Sequence, residues 1–286
     1  GYETRAFHPG ERTSWQRNIA YPRLGFDSFK CGEDMDVPQT EEHGYVSDDS
    51  DFEQIIWEFE HKDESTPLFL FNVTIQNHGS YTVEDYPAEV QVADEPGVYP
   101  KAEQYLTLAN KTDEAFKKLI DYFSAQTEPT ILVMFGDHQP SVEQEFLDKA
   151  YGVTQDEMTM AQYMDKFKVP FIIWANYPLT GDSTKITSLN FLAQYVLRNA
   201  GIETSVYGKY LWNLQKTILA MTFAGYFDSE GNAYSHLDTT KFTPLIEDYE
   251  RVQYNNLFGG DERQAELFAS PASTTSSDAA NATSGN

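Results

Sequence analysis

Apolar residues cluster in three short, nearly continuous runs, at residues 68–75, 131–135 and 171–174. Each is of strand length, and such unbroken runs are the pattern of strands buried on both faces, as in a parallel sheet. Helical spacing lies around and between them. Tyr105, Leu108, Phe116, Leu119, Ile120 and Phe123 share one side of a helix predicted over 102–124. A second helix is predicted over 188–200, with Ser188 as N-cap and Gly201 just past its end. Phe52, Ile55, Ile56 and Phe59 predict a third over 50–61. Strands alternating with helices in this order predict an α/β fold.

Composition changes the picture in three respects. The 286 residues include 20 Lys and Arg against 45 Asp and Glu, a net charge of −25, which argues against nucleic acid or an anionic membrane surface as the main partner. Much of this acidity falls in residues 33–64, where Lys62 is the only Lys or Arg; the helix over 50–61 is therefore expected to present a solvated acidic face. One cysteine, Cys31, excludes an internal disulfide framework and a multi-cysteine metal site. Residues 269–286 are small and polar without an apolar face and are expected to form a disordered tail after a domain over 1–268.

The three strand runs each end in polar residues: Gln76-Asn77-His78-Gly79, Gly136-Asp137-His138-Gln139-Pro140 and Ala175-Asn176-Tyr177-Pro178. Ligands of open α/β sheets sit beyond the carboxyl ends of the strands, and two of these three ends carry a histidine. Asp137 and His138 offer one hard oxygen and one imidazole nitrogen, a pair suited to a divalent metal, although a turn with a surface histidine has the same pattern. His78 suits a phosphoryl or sulfuryl oxygen, or a proton transfer. In the loop-like N-terminal stretch, His8, Trp15 and Arg17 lie within ten residues; an Arg fork suits phosphate oxygens, and Trp can stack on a sugar or glycerol face. His43, His61 and His236 carry no assigned role. A G-x-S-x-G elbow, a P-loop and an H-E-x-x-H motif are absent.

The stretch from Phe71 through Asn77-His78-Gly79, followed by Phe135-Gly136-Asp137-His138-Gln139-Pro140, resembles the sulfatase-like lipoteichoic acid synthase and phosphoglycerol transferase family of the alkaline phosphatase superfamily. Phe7-His8-Pro9, Trp15-Gln16-Arg17-Asn18, the segment Tyr21 to Asp27, Thr112 to Phe116 and Tyr249 to Asn255 are similar as well, so the resemblance runs from about residue 2 to about residue 260. It implies a three-layer α/β sandwich with a mostly parallel central sheet. It also implies a membrane-anchored enzyme facing outward from the bacterial cytoplasmic membrane. A threonine, aided by one divalent metal (manganese, with magnesium or zinc as alternatives), takes phosphoglycerol from a phospholipid head group and passes it to a glycan or polyol acceptor.

By the same resemblance, Asp137 and His138 are metal ligands and His8, Trp15, Arg17 and His78 bind the glycerophosphate. The family's glutamate ligand and nucleophilic threonine precede the position of His8. They are therefore expected upstream of Gly1, together with the membrane anchor, and the chain alone is expected to be inactive. Some members carry an acidic residue two positions after the first histidine, where this chain has Gly10. The competing expectations are a sulfatase or phosphoethanolamine transferase of the same superfamily, or a non-catalytic surface-binding domain of the same fold.

Overall fold

In the computed structural model, which describes residues 1–180 and 186–271, the chain divides into two compact units. One comprises residues 1–130 with 139–155, the other residues 131–138 with 156 onward. The expected tail over 269–286 lies outside the described residues from 272 onward.

The first unit is built on a parallel sheet. Strand β1 (Glu3–His8) leads through helix α1 (Arg17–Leu24) to β2 (Ser28–Cys31), and a short hairpin, β3 (Glu41–Glu42) and β4 (Tyr45–Val46), precedes α2 (Asp48–Glu60), β5 (Leu68–Asn72) and α3 (Pro100–Ser124). The sheet order is β2-β1-β5, all parallel, with His8 opposite Cys31 and Phe7 opposite Asn72. The N-terminal stretch expected as loop is therefore the central strand. Its outer half reads Glu3-Thr4-Arg5, which hides it from an apolar pattern, while Ala6, Phe7 and His8 are buried. The run at 68–75 leaves the sheet after Asn72.

Helix α1 closes one flank by burying Tyr21 against Phe26 and Phe29, with ring centroids 5.5 and 4.9 Å apart. Helices α2 and α3 pack through Phe52 on Phe116 and Phe59 on Phe123. The long α3 starts at Pro100, whose missing N–H costs nothing at a first helical position. Its free Lys101 and Ala102 amides donate to the carboxylate of Glu143 at 2.8 and 3.0 Å. Helix α4 (Gln144–Tyr151) follows that residue.

The solvated acidic face expected of α2 holds for Glu53 and Glu60, which are exposed, but not for three of its other acids. Asp48, Asp51 and Glu58 are buried to within 1% of full burial. Each acid has found a partner distant in sequence. The Thr112 hydroxyl donates to Asp48, the Asn72 amide donates to Asp51, and Arg5 and Lys30 pair with Glu58. Ser47 caps the helix by accepting from the Ser50 amide, and the acids of its first turn match the positive end of the helix dipole.

In the second unit the two later apolar runs form β6 (Ile131–Phe135) and β7 (Phe171–Ala175). They pair with each other antiparallel, Ile131 opposite Ala175 and Phe135 opposite Phe171, rather than parallel. Phe135 and Ile172 are 38% and 44% exposed, so the continuous apolar run does not signal burial on both faces here. Helix α5 (Met160–Asp165) lies between these strands in sequence; α6 (Leu189–Asn199) and α7 (Val206–Gln215) lead to an antiparallel sheet of β8 (Ile218–Met221), β9 (Gly225–Asp228) and β10 (Ala233–Ser235), followed by α8 (Thr243–Phe258) and a single turn, α9 (Ala265–Phe268). Phe191, Leu211, Ile218, Tyr226, Phe242 and Tyr249 form its core. Helix α6 ends before Gly201 at φ +68°, as expected. Ser188 holds the N-cap position, but its hydroxyl donates to Asn190 and accepts from the Met221 amide instead of capping.

Candidate active site

Parallel pairing of β1 and β5 brings their carboxyl ends to one sheet edge, where His8 ends β1 and the segment leading to His78 leaves β5. His8 is 1% exposed, and its Nδ1 lies 2.7 Å from the Val73 carbonyl oxygen. A carbonyl can only accept, so Nδ1 carries the proton and Nε2 is left as the ring's free nitrogen. Burial lowers the His8 pKa below the ordinary histidine range. The Val73 carbonyl opposes this, and the positive charges of Arg17 and His78 lower it further. Arg17 and His78 thus each lie within electrostatic reach of His8.

Two neighbouring loops hold His8 in place. Arg12 Nη2 donates to both carboxylate oxygens of Asp34, which also accepts from the Cys31 amide, and the Gly32 amide donates to the Gly10 carbonyl. Gly10 packs against His8 so closely that a Cβ there would stand 2.5 Å from Nε2. Any side chain at this position would require the His8 ring to move.

Arg17 begins α1 and donates to the Ser14 carbonyl at 3.2 Å. Before it, Trp15 and Gln16 both adopt the left-handed conformation, with φ 56° and 52°. That costs on the order of 1–2 kcal/mol for each non-glycine residue. Trp15 is 87% exposed.

His78 sits in a tightly held turn. Its amide donates to the Ile75 carbonyl, and its Nδ1 lies 2.7 Å from the Gly79 carbonyl oxygen. Tyr45 reaches both His78 Nδ1 and the Gly79 carbonyl at 3.3 Å, and the Tyr81 hydroxyl donates to the Asn77 carbonyl. His43, left without a role by the sequence, places Nε2 2.5 Å from the Gln76 carbonyl oxygen. That contact spans 33 residues and ends on a main-chain oxygen, so no motif announces it.

Asp137 and His138 follow β6 in the second unit, with side chains 84% and 76% exposed. The Asp137 carboxylate accepts from the His138 amide at 2.9 Å and lies 3.6 Å from His138 Nε2. One carboxylate and one imidazole, side by side and accessible, fit two ligands of a divalent ion. Among the described residues, no group of three or more His, Cys, Asp or Glu is gathered as a metal site.

The family model for sulfatases matches residues 1–202, and the chain belongs to the sulfatase family. Among curated proteins, it is 27% identical over 95% of its length to a Rhizobium meliloti protein named for cyclic beta-1,2-glucan modification, and covers 43% of that protein. To the lipoteichoic acid synthase-like YvgJ of Bacillus subtilis it is 26% identical over 60% of its length, covering 28% of that protein. The chain thus spans less than half the length of these relatives.

Among solved structures, the phosphoglycerol transferase GacH of Streptococcus pyogenes, in complex with sn-glycerol-1-phosphate, matches with a TM-score of 0.71 and 18% identity, over 95% of this chain and 66% of that one. An alkaline phosphatase superfamily protein of Vibrio parahaemolyticus matches with a TM-score of 0.55 and 15% identity, over 95% of this chain and 67% of that one. At these identities the likeness concerns the fold, which is that of the alkaline phosphatase superfamily. The resemblance to lipoteichoic acid synthases and phosphoglycerol transferases is borne out at the level of family.

Proposed function

We propose that this chain carries the phosphoryl-binding part of a metal-dependent phosphoglycerol transferase, which moves the group from a phospholipid such as phosphatidylglycerol to a cell-envelope glycan or polyol. The observation that supports this best is that Arg17 and His78 both lie within electrostatic reach of buried His8, which ends the central strand of a parallel sheet. In this reading the Arg17 fork binds two phosphoryl oxygens, and His8, with Nδ1 tied to Val73, directs Nε2 to a third. His78 supplies a second imidazole to the same group, and exposed Trp15 lies against the glycerol.

Asp137 and His138 are the residues that would hold the metal. A divalent ion held there would supply Lewis-acid activation of a nucleophile. In this reading the nucleophile is a threonine, and the enzyme works at the outer face of the cytoplasmic membrane. Among the described residues, no helix is long and apolar enough to cross a membrane.

Calorimetry with sn-glycerol-1-phosphate and with inorganic sulfate tests the substrate class. Saturable binding of the glycerophosphate, weakened about tenfold or more by Arg17→Ala, is expected. Preference for sulfate, or binding indifferent to Arg17, overturns the phosphoglycerol reading.

A further inference from the structure

The segment carrying His78 is clamped at both ends by two buried acids on the first turn of α2. At its start, the Asn72 amide donates to Asp51. At its end, the Asp48 amide donates to Gln76 Oε1 at 2.9 Å, and Gln76 Nε2 donates to the Thr112 hydroxyl and the Leu108 carbonyl, each at 3.2 Å. The Asn77 amide also donates to Thr112, at 2.8 Å. Asp48, Asp51 and Gln76 are at most 2% exposed, and Thr112 is 7% exposed.

Thr112 is the hub of this arrangement. A hydroxyl has one proton and two lone pairs. Both lone pairs are taken by amide donors from residues 76 and 77, so the proton is directed to an acceptor. The Asp48 carboxylate lies there at 2.6 Å, closer than the Leu108 carbonyl at 3.2 Å. Each valence of this oxygen therefore has a defined direction, and the two residues before His78 cannot shift without stranding buried polar groups. Buried hydrogen bonds that converge in this way on one hydroxyl favour a single geometry around it.

We infer that Asp48 and Thr112 are positioning residues for His78, acting through Gln76 and Asn77 to fix where the imidazole meets the phosphoryl group. This rests on the reading of His78 as a phosphoryl ligand. It adds a requirement that neither composition nor motif spacing contains: the first turn of α2 and the middle of α3 belong to the binding machinery.

The test is histidine-selective NMR of the whole chain, combined with sn-glycerol-1-phosphate titration, on Thr112→Val, Thr112→Ser and Asn77→Ala. Thr112→Val is expected to move the His78 ring resonances and weaken binding about tenfold, the scale of one lost hydrogen bond. The His236 resonances, in the other unit, should stay in place, and Thr112→Ser should restore both readouts. Should Thr112→Val fail to fold, Asn77→Ala removes one strand of the network and is expected to act in the same direction. His78 resonances and affinity unchanged in a folded Thr112→Val, or in Asn77→Ala, overturn the inference. If the unaltered chain binds no glycerophosphate while Thr112→Val still displaces His78 and Thr112→Ser restores it, the phosphoryl reading falls and the positioning role stands.

Discussion

The Nδ1 of His8 lies 2.7 Å from the carbonyl oxygen of Val73, one residue beyond the strand that pairs with its own. This contact fixes the tautomer, and burial with two nearby positive groups keeps the ring neutral. At pH 7, ¹⁵N NMR should therefore show His8 uncharged, protonated at Nδ1 and bare at Nε2. A charged His8 at that pH contradicts the geometry.

Gly10 leaves room for that ring. In Gly10→Ala the new Cβ would meet Nε2 at 2.5 Å, so the imidazole has to swing away from Val73. The expected result is a loss of about 1–3 kcal/mol in stability, as for other overpacked sites. His8 should also lose its single tautomer, and glycerophosphate affinity should fall. Denaturant unfolding and the ¹⁵N spectrum check this together.

The buried acids of α2 make stability depend on pH in an unusual direction. Burial raises the Asp48 pKa from 3.8 to about 6, against the hydrogen bond from Thr112. Burial raises Asp51 well above the carboxylate range, and the charge of Asp48 raises it further. A carboxyl raised in the folded state binds protons more tightly there than in the unfolded chain. Its stabilisation is present at low pH and is lost as pH rises from about 4 to about 6, worth about 3 kcal/mol for Asp48. Elsewhere on α2, Asp49 pairs with Lys118 and Glu58 with Arg5 and Lys30, while Glu53 and Glu60 are exposed. Asp48→Asn should remove this part of the slope and raise stability at pH 7. Unfolding of both proteins at pH 4.5 and 7 measures it.

Glu58 is a different case, a buried acid paired with two cations. Glu58→Ala leaves Arg5 and Lys30 facing a buried gap and should cost about 3 kcal/mol. Asp121→Ala breaks an exposed pair with Lys117 and should change stability by less than about 1 kcal/mol. Equal effects would contradict the burial difference.

Manganese binding checks the second unit. Asp137→Ala and His138→Ala should each lower the affinity of the chain for Mn²⁺ by roughly tenfold or more, read from the spin-resonance signal of the free ion. Unchanged binding in both removes them as ligands.

The helices α2, α3 and α6 were legible because their apolar residues repeat at helical spacing, and both His78 and the Asp137-His138 pair were legible as polar ends of apolar strands. Strand β1 was not. Its charges at Glu3 and Arg5 read as surface, although Arg5 is in fact satisfied by Glu58, 53 residues away. The burial of Asp48 and Asp51 was illegible for the same reason: their partners Thr112 and Asn72 are set by packing. Residue identity identified His8 and Arg17 as candidates, but only the parallel pairing of β1 with β5 explains why they meet His78.

The central claim is that His8, Arg17 and His78 bind one phosphoryl group. Its most direct test is ¹⁵N-histidine NMR during titration with sn-glycerol-1-phosphate. The account predicts that His8 Nε2 and His78 shift together along one saturation curve, and that Arg17→Ala flattens both responses. Shifts at His78 alone, or curves with separate midpoints, would contradict a shared site.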